Sequence, residues 1–237
     1  MSQPSTLGDE TINGLLSQAM AAFAGGDGPV AATEVAPVAT SERVDAGVDD
    51  RICAAAMRCI ARRGLRKTTL DDVATEAGCS RATIYRAFPG GKDVVMAAAA
   101  RREADTVLAK LALDLAAASN LDDTLTVAVH GAARALVGHA ALGYVMEHEP
   151  AVVLPHLSFE GLDPLLGRAV EFLAPFLARF LDATEARRTA EWLARLVVLY
   201  TESPAPFDLT DVGDVRRLID LHVLPGLAAA THQEQTS

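Results

Sequence analysis

The sequence predicts an all-α protein with one segment set apart by its charge, and three observations carry that reading. Runs of β-branched residues with period-two alternation are missing, whereas apolar residues recur at three- and four-residue spacing along most of the 237 residues. Hydrophobic residues make up 50% of the chain, enough to bury a sizeable core. The charge is unevenly placed. The chain carries a net −10, yet residues 51–92 hold nine Lys/Arg (51, 58, 62, 63, 66, 67, 81, 86 and 92) against three Asp/Glu (71, 72 and 76). That local excess of six leaves the remainder at −16. A basic segment in an acidic chain is the footprint of a part that meets phosphate. A solvated charged face has the same composition, so the order of the residues has to decide.

Residues 1–44 read as an extension. Ile12, Leu15, Leu16, Ala19, Met20 and Phe23 form one stripe of a short helix, stopped by Gly25-Gly26. Such a helix either frays alone or docks on the protein's own body or a partner. Residues 25–44, rich in Ala, Pro, Val and Gly without a period, read as a linker. From Val48 a helix is marked by Ile52, Ala55, Ala56, Cys59 and Ile60, and Gly64 ends it.

Residues 69–88 read TLDDVATEAGCSRATIYRAF. Thr69 caps a helix with Asp72 at its third position, and Leu70, Val73, Ala74 and Ala77 form the inner stripe. Gly78 follows, able to take a positive φ. Ser80 caps a second helix with Ile84 and Phe88 inside. Two short helices joined by a Gly-containing turn make a helix-turn-helix. Ala74 is small where the helices must touch, and Ile84 pins the second to the first. In such a motif the second helix enters the major groove. Its outward residues are Arg81, Ala82, Thr83, Tyr85 and Arg86, with Ser80 at its cap. Arg pairs with the guanine edge, Thr offers a hydroxyl and a methyl, and Tyr or Lys bonds phosphate. Tyr85 is either such a contact or a half-buried core aromatic.

From the helix ending IARRGLRKTTL, through DDVATEAGCSRATIYRAF, to Lys92-Asp93, residues 48–96 resemble the DNA-binding head of the tetracycline-repressor (TetR) family of transcriptional regulators. The resemblance implies DNA contacts at Thr69, Arg81, Thr83, Tyr85, Arg86 and Lys92. It also implies a helical-bundle body with a ligand pocket, and a homodimer closed by two long C-terminal helices that reads a palindromic operator, with repression as the usual sense. One feature departs from the family. Three residues, Pro89-Gly90-Gly91, separate Phe88 from Lys92 where two are usual. The larger turn puts the phosphate contact of Lys92 in question, although Lys92 stays near a helix N-terminus, where phosphate is favoured.

The domains expected are therefore the extension (1–44), the helix-turn-helix DNA-binding head (45–95) and an effector-binding and dimerisation body (96–237). Body helices are expected near 93–117, 121–138, 141–148, 151–158, 163–181, 184–202 and 211–224. Asp182-Ala183-Thr184-Glu185 has capping-box spacing, and Pro175 would kink its helix or mark its true start. Leu173, Phe180, Trp192, Leu196 and Tyr200 are the candidate dimer interface. His130, Arg134, Tyr144, Met146, Phe172 and Phe176 are candidates for an apolar or amphipathic effector, though such residues also simply fill cores.

Three Cys without a pairing pattern argue against a disulfide framework and for a reducing cytoplasm. The N-terminus lacks a signal-peptide pattern, and no uncharged run of about 20 apolar residues predicts a membrane span. No nucleophile, metal or phosphate-loop motif stands out, so neither an enzyme nor a cofactor is expected. The four His of 130–156 lack metal-ligand spacing. A protein-interaction module that has lost DNA binding is the other class considered.

Overall fold

Ile52, Ala55, Ala56, Cys59 and Ile60 repeat every three or four residues, and all five are buried along one side of the first helix, α1 (Thr40–Arg63). In this computed structural model, residues 40–153, 159–202 and 206–227 are described. The stripe predicted over Ile12–Phe23 lies outside them. α1 starts earlier than the expected Val48 and takes in the last residues of the predicted linker. Pro37 is the last helix breaker upstream, and the Ser-Glu-Arg-Val that follows Thr40 does not oppose a helix.

The helices that follow are α2 (Leu70–Ala77), α3 (Arg81–Ala87), α4 (Lys92–Ala117), α5 (Leu121–Val137), α6 (Ala140–His148), α7 (Pro150–Val153), α8 (Phe159–Leu177), α9 (Ala183–Glu202) and α10 (Val212–Leu218). A π-turn, Ile219–Val223, extends α10, and residues 224–227 are helical again. No strand occurs among the described residues. Of the predicted 151–158 helix, only Pro150–Val153 is described. α8 begins earlier and ends earlier than expected, and Pro175 sits in its last turn rather than at its start.

The described residues fall into two compact units. One comprises residues up to 106 together with 139–165; the other comprises 107–138 and 166 onward. The first unit thus takes in more than the expected 45–95 head, because Ala141 and Val145 of α6 share a core with α1–α3 and with Val95, Met96 and Ala99 of α4. At its centre Ile52, Val73, Ile84 and Val95 are fully buried. Burying such a side chain contributes roughly 1.5–3 kcal/mol.

The second unit is built from the end of α4, α5, most of α8, α9 and α10. Ala186, Ala190, Leu193 and Val197 line the inner side of α9 against Leu125, Val129 and Ala133 of α5 and Leu177 of α8. Ile219 and Val223 of the π-turn complete this core. Local devices fix the ends. Asn120 accepts from the Asp123 N–H (2.8 Å) to start α5. Asp182 accepts from Thr184 and Glu185 (2.8 and 3.1 Å) to start α9. Glu185 pairs with Arg188 (2.9 Å). The Arg179 guanidinium donates to the carbonyls of Leu115 and Ala118 (3.2 and 2.8 Å), at and just past the C-terminal end of α4.

Candidate nucleic-acid interface

α2 is held at both ends. The Thr69 hydroxyl accepts from the Asp72 N–H (3.2 Å), and the Asp72 carboxylate accepts from the Thr69 N–H (2.9 Å), a closed capping box. At the other end Gly78 takes φ +64, the Cys79 N–H reaches Ala74 O (3.0 Å) and the Gly78 N–H reaches Thr75 O (3.3 Å). This is a Schellman turn, and it requires the left-handed conformation that glycine adopts at least cost. Ser80 then accepts from the Thr83 N–H (3.1 Å) and starts α3. Ile84 is fully buried and Ala74 nearly so, so the crossing is pinned as the spacing predicts.

That packing fixes which side of α3 faces outward. Arg81, Ala82, Tyr85 and Arg86 are exposed, and Thr83 is half-buried with its hydroxyl 2.9 Å from that of Ser80. Tyr85 is 47% exposed, which removes the core-aromatic alternative. Its ring borders Gly91, where an added Cβ would lie 3.6 Å from the ring edge. The Arg81 guanidinium lies 5.9 Å from the Tyr85 ring centroid and 3.4 Å from the Asp71 carboxylate.

Much of the local positive charge is tied down. Arg58 (2.7 Å) and Arg62 both pair with Glu76, and Arg63 pairs with Asp72, so α1 is bolted to α2 by ion pairs at the surface. The hydrogen bonds from Arg58 and Arg62 hold the Glu76 carboxyl below its ordinary pKa. The Thr69 hydroxyl and N–H, then Arg63, do the same for Asp72. Lys67 and Arg86 remain exposed beside the capped helices.

The Pro89-Gly90-Gly91 turn absorbs its extra residue by placing both glycines at positive φ (+124 and +81). Lys92 opens α4 half-buried. Its Nζ donates to the carbonyls of Leu65 (2.9 Å) and Arg66 (3.3 Å), and burial pulls its pKa down. The expected phosphate contact thus sits on backbone carbonyls of its own unit. The partner of that arrangement is Glu149, whose carboxylate accepts from the N–H groups of Leu65 (2.9 Å) and Arg66 (3.2 Å). No local pattern marks it, because it acts on residues more than 80 positions away.

The candidate effector residues are not brought together in one unit. Tyr144 and Met146 are half-buried in the first unit, where Tyr144 stacks on His148 (4.2 Å between centroids) and borders Gly64. His130, Arg134, Phe172 and Phe176 belong to the second. There Phe172 and Phe176 form a tilted pair at 5.7 Å, and His130 Nδ1 lies 3.2 Å from Leu209 O, a satisfied group. Arg134 is exposed.

The candidate dimer residues divide too. Leu173 and Leu196 are each 8% exposed and belong to the core of their own unit. The wide stripe on α9 had merged its inner and outer sides. Trp192 (43%) and Phe180 (37%) are exposed and Tyr200 is half-buried, while Leu199, missed in the sequence, is 63% exposed.

Comparison with known proteins agrees with this geometry. Residues 52–99 match the family described as bacterial regulatory proteins, tetR family. An uncharacterized HTH-type transcriptional regulator of Mycobacterium tuberculosis strain H37Rv is 27% identical over 188 residues, covering 77% of this chain and 86% of that protein. Its counterpart in strain CDC 1551 gives the same figures. Among solved structures, the TetR family repressor AlkX from a Dietzia species, implicated in biodegradation of n-alkanes, superposes with a TM-score of 0.55 at 21% identity. That match covers 74% of this chain and 97% of AlkX. Residues 52–99 thus match the DNA-binding head of the tetR family of bacterial regulatory proteins, and the chain as a whole resembles HTH-type transcriptional regulators and shares the fold of a TetR family repressor.

Proposed function

We propose that the protein is a homodimeric repressor that binds a palindromic operator through two copies of α3 and is released by an apolar or amphipathic small molecule. The observation that carries the reading is the outward side of α3, with Arg81, Thr83, Tyr85 and Arg86 on a helix fixed at its start by Ser80 and from beneath by Ile84. Thr69, Ser80 and Ala82 border that surface. The hydroxyls of Thr69 and Ser80 and the capped helix starts suit phosphate, while the two Arg suit base edges. Such a target, together with the free thiols of Cys53, Cys59 and Cys79, fits a reducing cytoplasm.

Dimerisation is supported by Trp192 and Leu199, two turns apart on the outer side of α9, and by Phe180. Large exposed apolar groups at that spacing suit a second copy. The effector reading is supported by the half-buried Phe172–Phe176 pair of α8. A ligand changes DNA affinity only by preferring one arrangement of the heads. α4 is continuous from Lys92, next to the recognition helix, to Ala117, so a tilt of α4 would respace the two recognition helices. A coupling of roughly 1–3 kcal/mol would lower affinity about 5–150-fold.

The experiment is selection of fragmented genomic DNA by the purified protein at moderate salt, followed by titration of fatty acids, acyl-CoAs and apolar drugs against the enriched duplex. Enrichment of a palindrome is expected, with release by at least one apolar compound. Recovery of random fragments alone would refute operator binding. Stabilisation by a ligand without DNA release would leave a pocket but remove the switch.

A further inference from the structure

We propose that Glu149 is a positioning residue for DNA recognition: together with Lys92 it clamps the turn Gly64–Arg66 that orients the helix-turn-helix, and so ties α6 to the recognition unit. The proposal rests on the DNA-binding reading above and assigns a role to groups outside the DNA-facing surface.

The turn links α1 to α2, and its polar backbone is taken up almost completely. Glu149, the residue that closes α6, accepts from the N–H groups of both Leu65 (2.9 Å) and Arg66 (3.2 Å). Lys92, the first residue of α4, donates to the carbonyls of the same two residues (2.9 and 3.3 Å). One peptide segment is thus gripped from its N–H side by an anion and from its C=O side by a cation. Hydrogen bonds in which one partner is ionised are roughly twice as strong as neutral ones. Inside the turn, the fully buried Thr68 donates to Gly64 O (2.7 Å).

Gly64 makes the close approach of Glu149 possible. Its φ is +84, and an added Cβ would lie 2.5 Å from Glu149 Oε1 and 3.0 Å from the Tyr144 ring. α6 therefore reaches the turn through Glu149 and Tyr144, and α4 reaches it through Lys92. The turn stands four residues ahead of α2, so a shift of either helix reaches the recognition unit here as well as through the apolar core that both helices share with α1–α3.

The charge of Glu149 makes the assignment testable. An acidic group on a DNA-binding unit opposes phosphate by Coulomb's law, so deleting one that was merely a surface charge raises affinity. A positioning carboxylate gives the opposite sign. For Lys92, loss of a phosphate contact lowers the salt slope of binding by about 0.9, whereas loss of a positioning contact leaves the slope unchanged.

The test measures binding of the full chain to the genomic duplex that the wild type enriches, and to a scrambled duplex, across salt. The variants are Glu149→Ala, Glu149→Gln and Lys92→Met, with helix content and melting followed in parallel. Glu149→Ala and Lys92→Met are each expected to weaken operator binding about tenfold, the size of a lost charge-assisted hydrogen bond. Their salt slopes and their affinity for the scrambled duplex should match the wild type. Glu149→Gln, which keeps an acceptor oxygen in place, should recover most of the loss. Operator affinity equal to or above wild type in Glu149→Ala, or a slope reduced by about one in Lys92→Met, overturns the proposal. If Glu149→Ala loses helix content, Glu149→Gln is judged instead: wild-type binding by a folded Gln variant supports the clamp, and loss of both duplexes overturns it. A wild type that enriches no duplex at all would sink the DNA-binding reading itself, a distinguishable result.

Discussion

Thr69 shows how one side chain serves two ends. Its hydroxyl closes the capping box of α2 while remaining at the surface beside the candidate DNA-facing helix. Thr69→Ala is expected to cost about 1 kcal/mol of stability, read as a lower urea midpoint, because it leaves the Asp72 N–H without its cap. Glu76 is a second case. Arg58 and Arg62 hold its carboxyl below the ordinary value, so its folded-state pKa lies below the unfolded one. The stabilisation is complete above the unfolded value of about 4.3 and is lost as pH falls through the folded value. Glu76→Gln should therefore be less stable than wild type at neutral pH, and the gap should close on acidification, followed by circular dichroism. Cap residues such as Thr69, Ser80 and Gly78 were legible because their partners lie within a few positions. The seats of Lys92 and Glu149 were not legible, because their partners are 26 or more residues away and nothing local encodes the meeting.

At the scale of elements, α3 has seven residues, too few to be stable alone, so it exists by packing. Ile84 is its fully buried anchor, and Ile84→Ala should cost roughly 2–5 kcal/mol by the cavity it leaves. Thermal unfolding checks this; a loss well under that range would mean that α3 is held by its caps and ion pairs instead. The helix pattern was readable because the inner stripes of α1 and α2 repeat cleanly. Their ends were less so. Pro175 invited a start where α8 has its last turn, and nothing in the apolar spacing of 211–224 distinguishes the π-turn Ile219–Val223 from a plain helix. The same limit explains Leu173 and Leu196, since on a helix with apolar residues on two sides, period alone does not say which side meets its own core.

For the whole molecule, the proposed dimer and the proposed operator binding stand or fall together, since one seven-residue recognition helix would read only a half-site. Replacing Trp192 and Leu199 with Glu should give monomers by light scattering at micromolar concentration and abolish operator binding, with little loss of fold, because both are exposed. An unchanged dimer would move the interface away from the outer side of α9. The central claim, that α3 reads DNA sequence from an acidic protein, is tested most directly by titrating wild type and Arg86→Ala against the enriched palindrome and a scrambled duplex at physiological salt. The account predicts that the wild type prefers the palindrome by at least about a thousandfold. It predicts that Arg86→Ala loses roughly 1–3 kcal/mol on the palindrome and much less on the scrambled duplex. Equal wild-type affinity for the two duplexes, or an Arg86→Ala variant that keeps the full preference, would contradict it.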